Sequence, residues 1–158
     1  MDQLKRLLKP VFRITYQPLM RLTRGQTLGV RCAVINESNE FLLVRHSYTP
    51  GWTFPGGGVE RSETLEEALV RELREEARVN LHSAPQLHGV FANRKEFPGD
   101  HVVFYTARDW DMPSRPRRNL EIVEQGFFTA ASIPESITDS ARRRVEELFH
   151  GSALSADW

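Results

Sequence analysis

Cysteine is almost missing from this sequence: Cys32 stands alone, which excludes an internal disulfide. Its apolar, strand-like surroundings mark a buried, inert thiol rather than a nucleophile, and a lone thiol fits a reducing cytoplasm. Long apolar runs are missing too, so no segment spans a bilayer, and no signal-peptide pattern opens the chain. Net charge is absent, because 21 Lys and Arg cancel 21 Asp and Glu. No global field therefore recruits a long nucleic acid or an anionic membrane. Repeats and low-complexity tracts are lacking. What remains is a chain of 158 residues, one domain by size and large enough to bury most of its unfolded surface without staples.

Apolar, β-branched segments at 26–36 and 40–48 flank a Glu37-Ser38-Asn39 turn and suggest a hairpin. Trp52 to Phe54 reads as a short third strand leading into Pro55-Gly56-Gly57-Gly58. Further strands are expected at 86–94, 101–109 and 121–129, and a second helix at 138–149. This order fits an α+β or α/β/α sandwich. Residues 1–24 differ, since Lys5, Arg6, Lys9, Arg13, Arg21 and Arg24 oppose only Asp2. Leu4, Leu7, Leu8, Val11 and Phe12 have partly helical spacing, interrupted by Pro10 and Pro18. That segment reads as a basic extension, packed on the domain or a partner subunit or lying on a membrane surface. A boundary near Arg24 sets it apart from a domain over 25–150 and a tail at 151–158.

Between the glycines and the later strands lies an acidic helix expected over 64–77. Ser62, Glu63 and Thr64 are candidates to cap it, and Glu66 and Glu67 suit its positive end. Leu65, Ala68, Leu69, Leu73 and Ala77 form its packing stripe. Glu72, Glu75 and Glu76 then share another face at i, i+3 and i+4, about 5 to 6 Å apart at Cβ. Like charges at that spacing repel, and a divalent cation offsets the repulsion directly. Oxygen donors with no Cys or His beside them suit Mg²⁺, with Mn²⁺ as a substitute. Mg²⁺ binds through few carboxylates plus substrate phosphates, so the expected ligand is a polyphosphate. The glycines let backbone carbonyls and amides approach a metal or phosphate closely.

Residues 57–79 resemble the Nudix box: Gly57, five residues, Glu63, seven residues, then Arg71-Glu72-Leu73-Arg74-Glu75-Glu76-Ala77-Arg78-Val79. Trp52-Thr53-Phe54-Pro55-Gly56-Gly57 resembles the approach to that box, and the strand pattern extends the likeness to about residues 25–148. The resemblance to this MutT-like family implies an α/β/α sandwich with a mixed central sheet. It implies metal ligation by Glu72, Glu75 and Glu76 with the carbonyl of Gly56, and a supporting pair of Arg71 and Glu63. Catalytic roles would fall among Glu63, Arg71, Glu75 and two later acids, Glu121 and Glu124. Each of those two either completes the metal cage, acts as base, or is surface charge on an alternating strand. The activity implied is Mg²⁺-dependent cleavage of the pyrophosphate in a nucleoside diphosphate linked to another group, such as ADP-ribose or a nucleotide sugar. The alternatives are a nucleoside triphosphate pyrophosphatase, a hydrolase of dinucleoside polyphosphates or capped RNA, and a nucleotide-sensing domain without catalysis. Family members often form homodimers.

One departure concerns Arg78, which occupies the family's Gly position, where a left-handed residue commonly ends a helix. Either Arg78 accepts that conformation or the helix runs on to Asn80. For substrate contacts, Arg31, Arg45 and the basic stretch at 115–118 are candidates for phosphate. Trp52, Phe91 and Phe97 are candidates for stacking on a base, and Asp100 and His101 for reaching substrate or forming a turn. Trp158 carries no signal.

Overall fold

The computed structural model describes residues 25–47, 49–112 and 121–158. The basic extension at 1–24 and the stretch at 115–118 lie outside the described residues. The strands are β1 (Thr27–Val34), β2 (Phe41–His46), β3 (Trp52–Thr53), β4 (Gly56–Gly58), β5 (Asn80–Leu81), β6 (Gln86–Ala92), β7 (Asp100–Ala107), β8 (Trp110–Asp111) and β9 (Ile122–Phe128). Helix α1 (Leu65–Glu72) follows β4, and helix α2 (Asp139–Phe149) follows β9.

A four-stranded sheet has the order β4-β1-β7-β6 and a three-stranded sheet the order β3-β2-β9. β1 runs parallel to β7 and antiparallel to β4, so the larger sheet is mixed. The two-residue period sorts the core into two layers. Val30, Cys32 and Val34 of β1 pack with Ala68, Leu69, Leu73 and Ala77 from the helical side, while Ala33, Val102 and Phe104 pack with Ala141 and Val145 of α2. Helices thus cover both faces, giving the α/β/α arrangement. Burial also pushes the Cys32 thiol far up, which keeps it inert.

The expected hairpin is corrected. β1 and β2 belong to different sheets, and their antiparallel pairing is limited to the Ile35–Phe41 bridge and the Asn36 N–H to Glu40 carbonyl bond at the turn. Asn36 closes that turn, its Nδ2 donating to Glu40 Oε2 at 2.7 Å and its Oδ1 accepting the Glu40 N–H at 2.9 Å. Beyond it the strands take other partners, because Trp52–Gly58 pairs with β2 through Thr53 opposite Val44 and then with β1 through Gly56 opposite Arg31. One short segment stitches the two sheets, and its crossover at Phe54-Pro55 delivers the glycines to the gap between them.

The expected helix over 64–77 divides in two. Thr64 caps α1: its hydroxyl accepts the Glu67 N–H at 3.2 Å and the Glu67 carboxylate accepts the Thr64 N–H at 2.8 Å. Leu73–Ala77 then widens into a π turn, a local feature often found at functional sites. Arg78 ends it in the left-handed region at φ 54° and ψ 31°. The Arg78 N–H reaches back to the Arg74 carbonyl at 3.1 Å, the bond of a left-handed helix cap, and the Val79 N–H reaches the Leu73 carbonyl at 3.1 Å. Arg78 therefore takes the glycine's conformation, and Asn80 begins β5. Replacing Arg78 by Gly is expected to stabilise the fold by about 1 kcal/mol, raising the thermal midpoint by roughly 2 to 4 °C. A lower midpoint by circular dichroism would show that side-chain contacts of Arg78 outweigh the backbone cost.

The tail at 151–158 folds back onto the sheet. The Ala92 N–H donates to Ala156 O and the Trp158 N–H to Ala92 O, both at 3.0 Å. Trp158 is buried against Phe91 and Phe104 and belongs to the core. Beneath it the fully buried Arg144 places its guanidinium 3.5 Å from the Phe91 ring centroid and donates to Glu147 Oε1 at 2.6 Å.

Candidate active site

The glycine loop sits against β1 and the start of the π turn. Gly56 has φ 137°, and a Cβ there would stand 2.1 Å from the Val30 carbonyl oxygen, so no larger residue fits. Its N–H donates to Glu76 Oε2 at 2.8 Å. At Gly57 a Cβ would lie 2.6 Å from the Glu72 carboxylate carbon, so the missing side chain is the space Glu72 occupies. Loop and helix are thereby fixed to one another through two of the three box glutamates.

Arg71 makes the second connection. Its Nε donates to Glu63 Oε1 at 2.8 Å and its Nη2 to Glu63 Oε2 at 3.0 Å, a two-pronged pair. The same guanidinium donates to Gly58 O at 3.0 Å and to Glu72 Oε1 at 2.6 Å. Hydrogen bonds from Arg71, and then from the Glu60 N–H, hold the Glu63 carboxyl down to about 2. Glu63 is therefore a permanent anion anchored to Arg71, placed to position the loop rather than to exchange protons.

Glu76 is the unusual acid. It is buried, and burial pushes its carboxyl up to about 7. The Gly56 N–H and the charge of Arg31 oppose that rise, while the charges of Glu72 and Glu121 add to it. His46 Nε2 lies 3.5 Å from Glu76 Oε1. Burial first, and Arg31 second, hold the His46 imidazole down to about 4. At neutral pH this histidine is an uncharged neighbour of Glu76.

Glu75 points elsewhere. Its side chain is 63% exposed and leans on Arg71 Nη1 at 3.6 Å. Among the described residues no three acidic, His or Cys side chains stand close enough to hold an ion as they are. The π turn accounts for this, because its wider winding carries each residue through a smaller angle than the α-helical spacing assumes. Glu72 and Glu76 both reach the glycine loop, and Glu75 rotates outward toward solvent. The oxygens of Glu72, Glu76 and the loop still fit a hard divalent cation: a buried carboxyl repelled by two further acids gains most from one.

The later acids separate. Glu121 lies where its charge acts on Glu76, and its carbonyl accepts the Ser47 N–H at 2.8 Å. Glu124 pairs across the strands with Arg45 at 2.6 Å, each side chain about half exposed. Between them the register shifts, with Arg45 opposite Glu124 but His46 opposite Ile122. The bulge lies beside the Arg45–Glu124 pair, and Glu121 precedes it, outside the strand. Asp100 accepts hydrogen bonds from Thr27 at 2.7 Å and Asn93 at 3.0 Å, as a turn residue does. Of the aromatic candidates, Trp52 and Phe91 are core and Phe97 is exposed. His46 escaped the sequence reading, because a histidine at the end of an apolar strand gives no pattern.

With Glu76 raised from 4.5 to about 7, its contribution to the metal-free fold is complete below pH about 4.5 and lost as pH rises through about 7. Protein treated with EDTA is expected to lose up to about 3 kcal/mol of stability between pH 5 and 8 through this group. Denaturant titrations at the two pH values measure it. Glu76→Gln should flatten the trend, and a wild-type curve as flat as the variant's would contradict the assignment.

Known proteins share sequence and fold with this chain. The chain is 36% identical over 73 residues to an ADP-ribose pyrophosphatase of Methanocaldococcus jannaschii, covering 44% of this chain and 43% of that protein. It is 35% identical over 83 residues to an 8-oxo-dGTP diphosphatase of Escherichia coli (strain K12), covering 48% of this chain and 61% of that protein. The chain thus spans about half the length of these curated relatives. A crystal structure of a MutT NUDIX hydrolase from Burkholderia pseudomallei superimposes with a TM-score of 0.67 at 24% identity, covering 78% of this chain and 98% of that one, and shows the shared fold. The NUDIX domain model itself matches residues 25–148, most of the chain and all of the site just described, and the protein therefore belongs to the NUDIX domain family.

Proposed function

We propose that this protein is a Mg²⁺-dependent hydrolase of the pyrophosphate linkage in a nucleoside diphosphate joined to another group, of the ADP-ribose or nucleotide-sugar type. The observation that carries the reading is the buried carboxyl of Glu76, held by the Gly56 N–H at 2.8 Å beside Glu72, in a place where its charge is costly without a cation. Glu72, Glu76 and the Gly56 carbonyl would hold Mg²⁺, with Glu75 joining by rotation of its exposed side chain. When bound, the ion supplies neutralisation of the diphosphate and acidification of the attacking water.

The chain's own groups supply position and proton transfer. Arg71 and Glu63 lock the loop so that the Gly56 N–H and the two carboxylates stay in register. Glu121, close enough for its charge to reach Glu76, is the base candidate that best fits the geometry. Glu124 is engaged by Arg45 and would hold the rim of the cleft. His46, neutral at pH 7, puts no positive charge beside Glu76 to compete with the cation.

The relative named as an ADP-ribose pyrophosphatase supports this substrate class, and the one named as an 8-oxo-dGTP diphosphatase supports a nucleoside triphosphate as the second reading. The test is a panel of ADP-ribose, nucleotide sugars, nucleoside triphosphates and dinucleoside polyphosphates with Mg²⁺ in isotopically labelled water. Nucleoside monophosphate released from ADP-ribose or a nucleotide sugar, with the label on phosphorus, is the expected result. Pyrophosphate released from triphosphates alone would select the second reading, and binding without turnover would make the domain a sensor.

A further inference from the structure

Resting on the hydrolase reading above, we propose that Arg31 is a substrate-binding residue whose guanidinium contacts the diphosphate beside Glu72 and Glu76. Arg31 lies in β1 directly opposite Gly56, in a strand whose neighbouring residues Val30, Cys32 and Ala33 are fully buried. A charged side chain amid core residues normally has an ionic partner. Among the described residues the Arg31 guanidinium has one hydrogen bond, Nη1 to the Phe54 carbonyl at 2.6 Å, and no ion pair. That bond ties the planar group to the crossover segment that leads into the glycine loop.

A guanidinium carries five N–H donors in a fixed fork, so four remain for acceptors. Their placement is informative, because the charge of Arg31 reaches both Glu76 and His46. A cation so close to the proposed metal-binding carboxylates opposes the entry of a divalent ion. It is useful there only when further negative charge arrives with the ion. A diphosphate brings that charge, and its oxygens match the guanidinium fork. Arg45 does not serve in this way, since Glu124 already holds it at 2.6 Å. The competing role is mechanical: Arg31 as a clamp on Phe54 that keeps the loop in place and never touches substrate.

Arg31→Met and Arg31→Lys separate the two roles. Substrate contact predicts that KM for the best substrate of the panel rises about ten- to hundredfold in Arg31→Met, as loss of a charged hydrogen bond does, while kcat moves less than a fewfold. The affinity for ADP with Mg²⁺, read by calorimetry, should fall by a similar factor, and Arg31→Lys should recover part of both. Mn²⁺ affinity without nucleotide should be unchanged or tighter. A fall in kcat and Mn²⁺ affinity at constant KM and constant ADP affinity would overturn the proposal in favour of the clamp. If wild-type protein shows no Mg²⁺-dependent turnover, the hydrolase reading fails by itself, and the calorimetric comparison still decides the role of Arg31. Should Arg31→Met not fold, the Lys variant carries the same comparison.

Discussion

Glu76→Gln lowers Mg²⁺-dependent turnover by at least about 100-fold while leaving the fold intact and the metal-free protein more stable at pH 8. The opposing signs make this expectation specific. Glu76 is 7% exposed, its carboxyl is pushed up to about 7 by burial, and Glu72 and Glu121 act to raise it further. An amide of the same shape removes that electrostatic cost and still accepts the Gly56 N–H through its oxygen. What it removes is the anionic grip on a cation. A surface glutamate would show neither effect, and a purely structural one would lose stability on substitution. Steady-state kinetics with Mg²⁺, set beside denaturant titrations in EDTA, reads both signs in one pair of proteins. Turnover unchanged in Glu76→Gln would remove this residue from the chemistry.

Gly56→Ala carries the largest expected effect on stability. The new Cβ would meet the Val30 carbonyl oxygen at 2.1 Å and the Arg31 Cα at 2.8 Å, both backbone atoms that cannot swing aside. At φ 137° the backbone also lies where L residues rarely go. Relief requires β4 to move off β1, which breaks the pairing of Arg31 with Gly56 and the hydrogen bond to Glu76. The cost is expected at about 3 to 5 kcal/mol, with poor soluble expression as the visible result. Gly58→Ala is the matched control, because nothing lies within 4 Å of a Cβ there. Equal losses at both positions would mean that general loop flexibility, and not this close approach, sets the requirement for glycine.

The sequence made the box legible and left its exact posture hidden. Thr64 and Glu67 read correctly as a helix start, and the stripe from Ala68 to Ala77 lies buried as the 3.6-residue period requires. Arg71 with Glu63 also emerges as a pair, at 2.8 Å. The π turn could not be read, because no side-chain pattern distinguishes one widened turn within a helix, and Glu75 on it leans out toward solvent and Arg71. The hairpin between β1 and β2 failed for a related reason. Alternation fixes which face a residue takes but not which strand it pairs with. The Trp52–Gly58 segment decided that pairing by bonding to both. His46 and the proximity of Arg31 to Glu76 follow from this stitching, so they too became visible only in three dimensions. The same holds for Trp158, whose burial depends on Ala92 pairing with a distant tail.

The proposed activity requires Glu72 and Glu76 to form, with the glycine loop, a seat for a divalent ion. Water-proton relaxation during Mn²⁺ titration measures this directly, in wild-type protein at pH 8 and at pH 5 and in Glu76→Gln at pH 8. Saturable binding at pH 8 that weakens sharply at pH 5 and in the variant is the predicted result. Mn²⁺ binding that is absent from the wild type, or equal in all three samples, would contradict it.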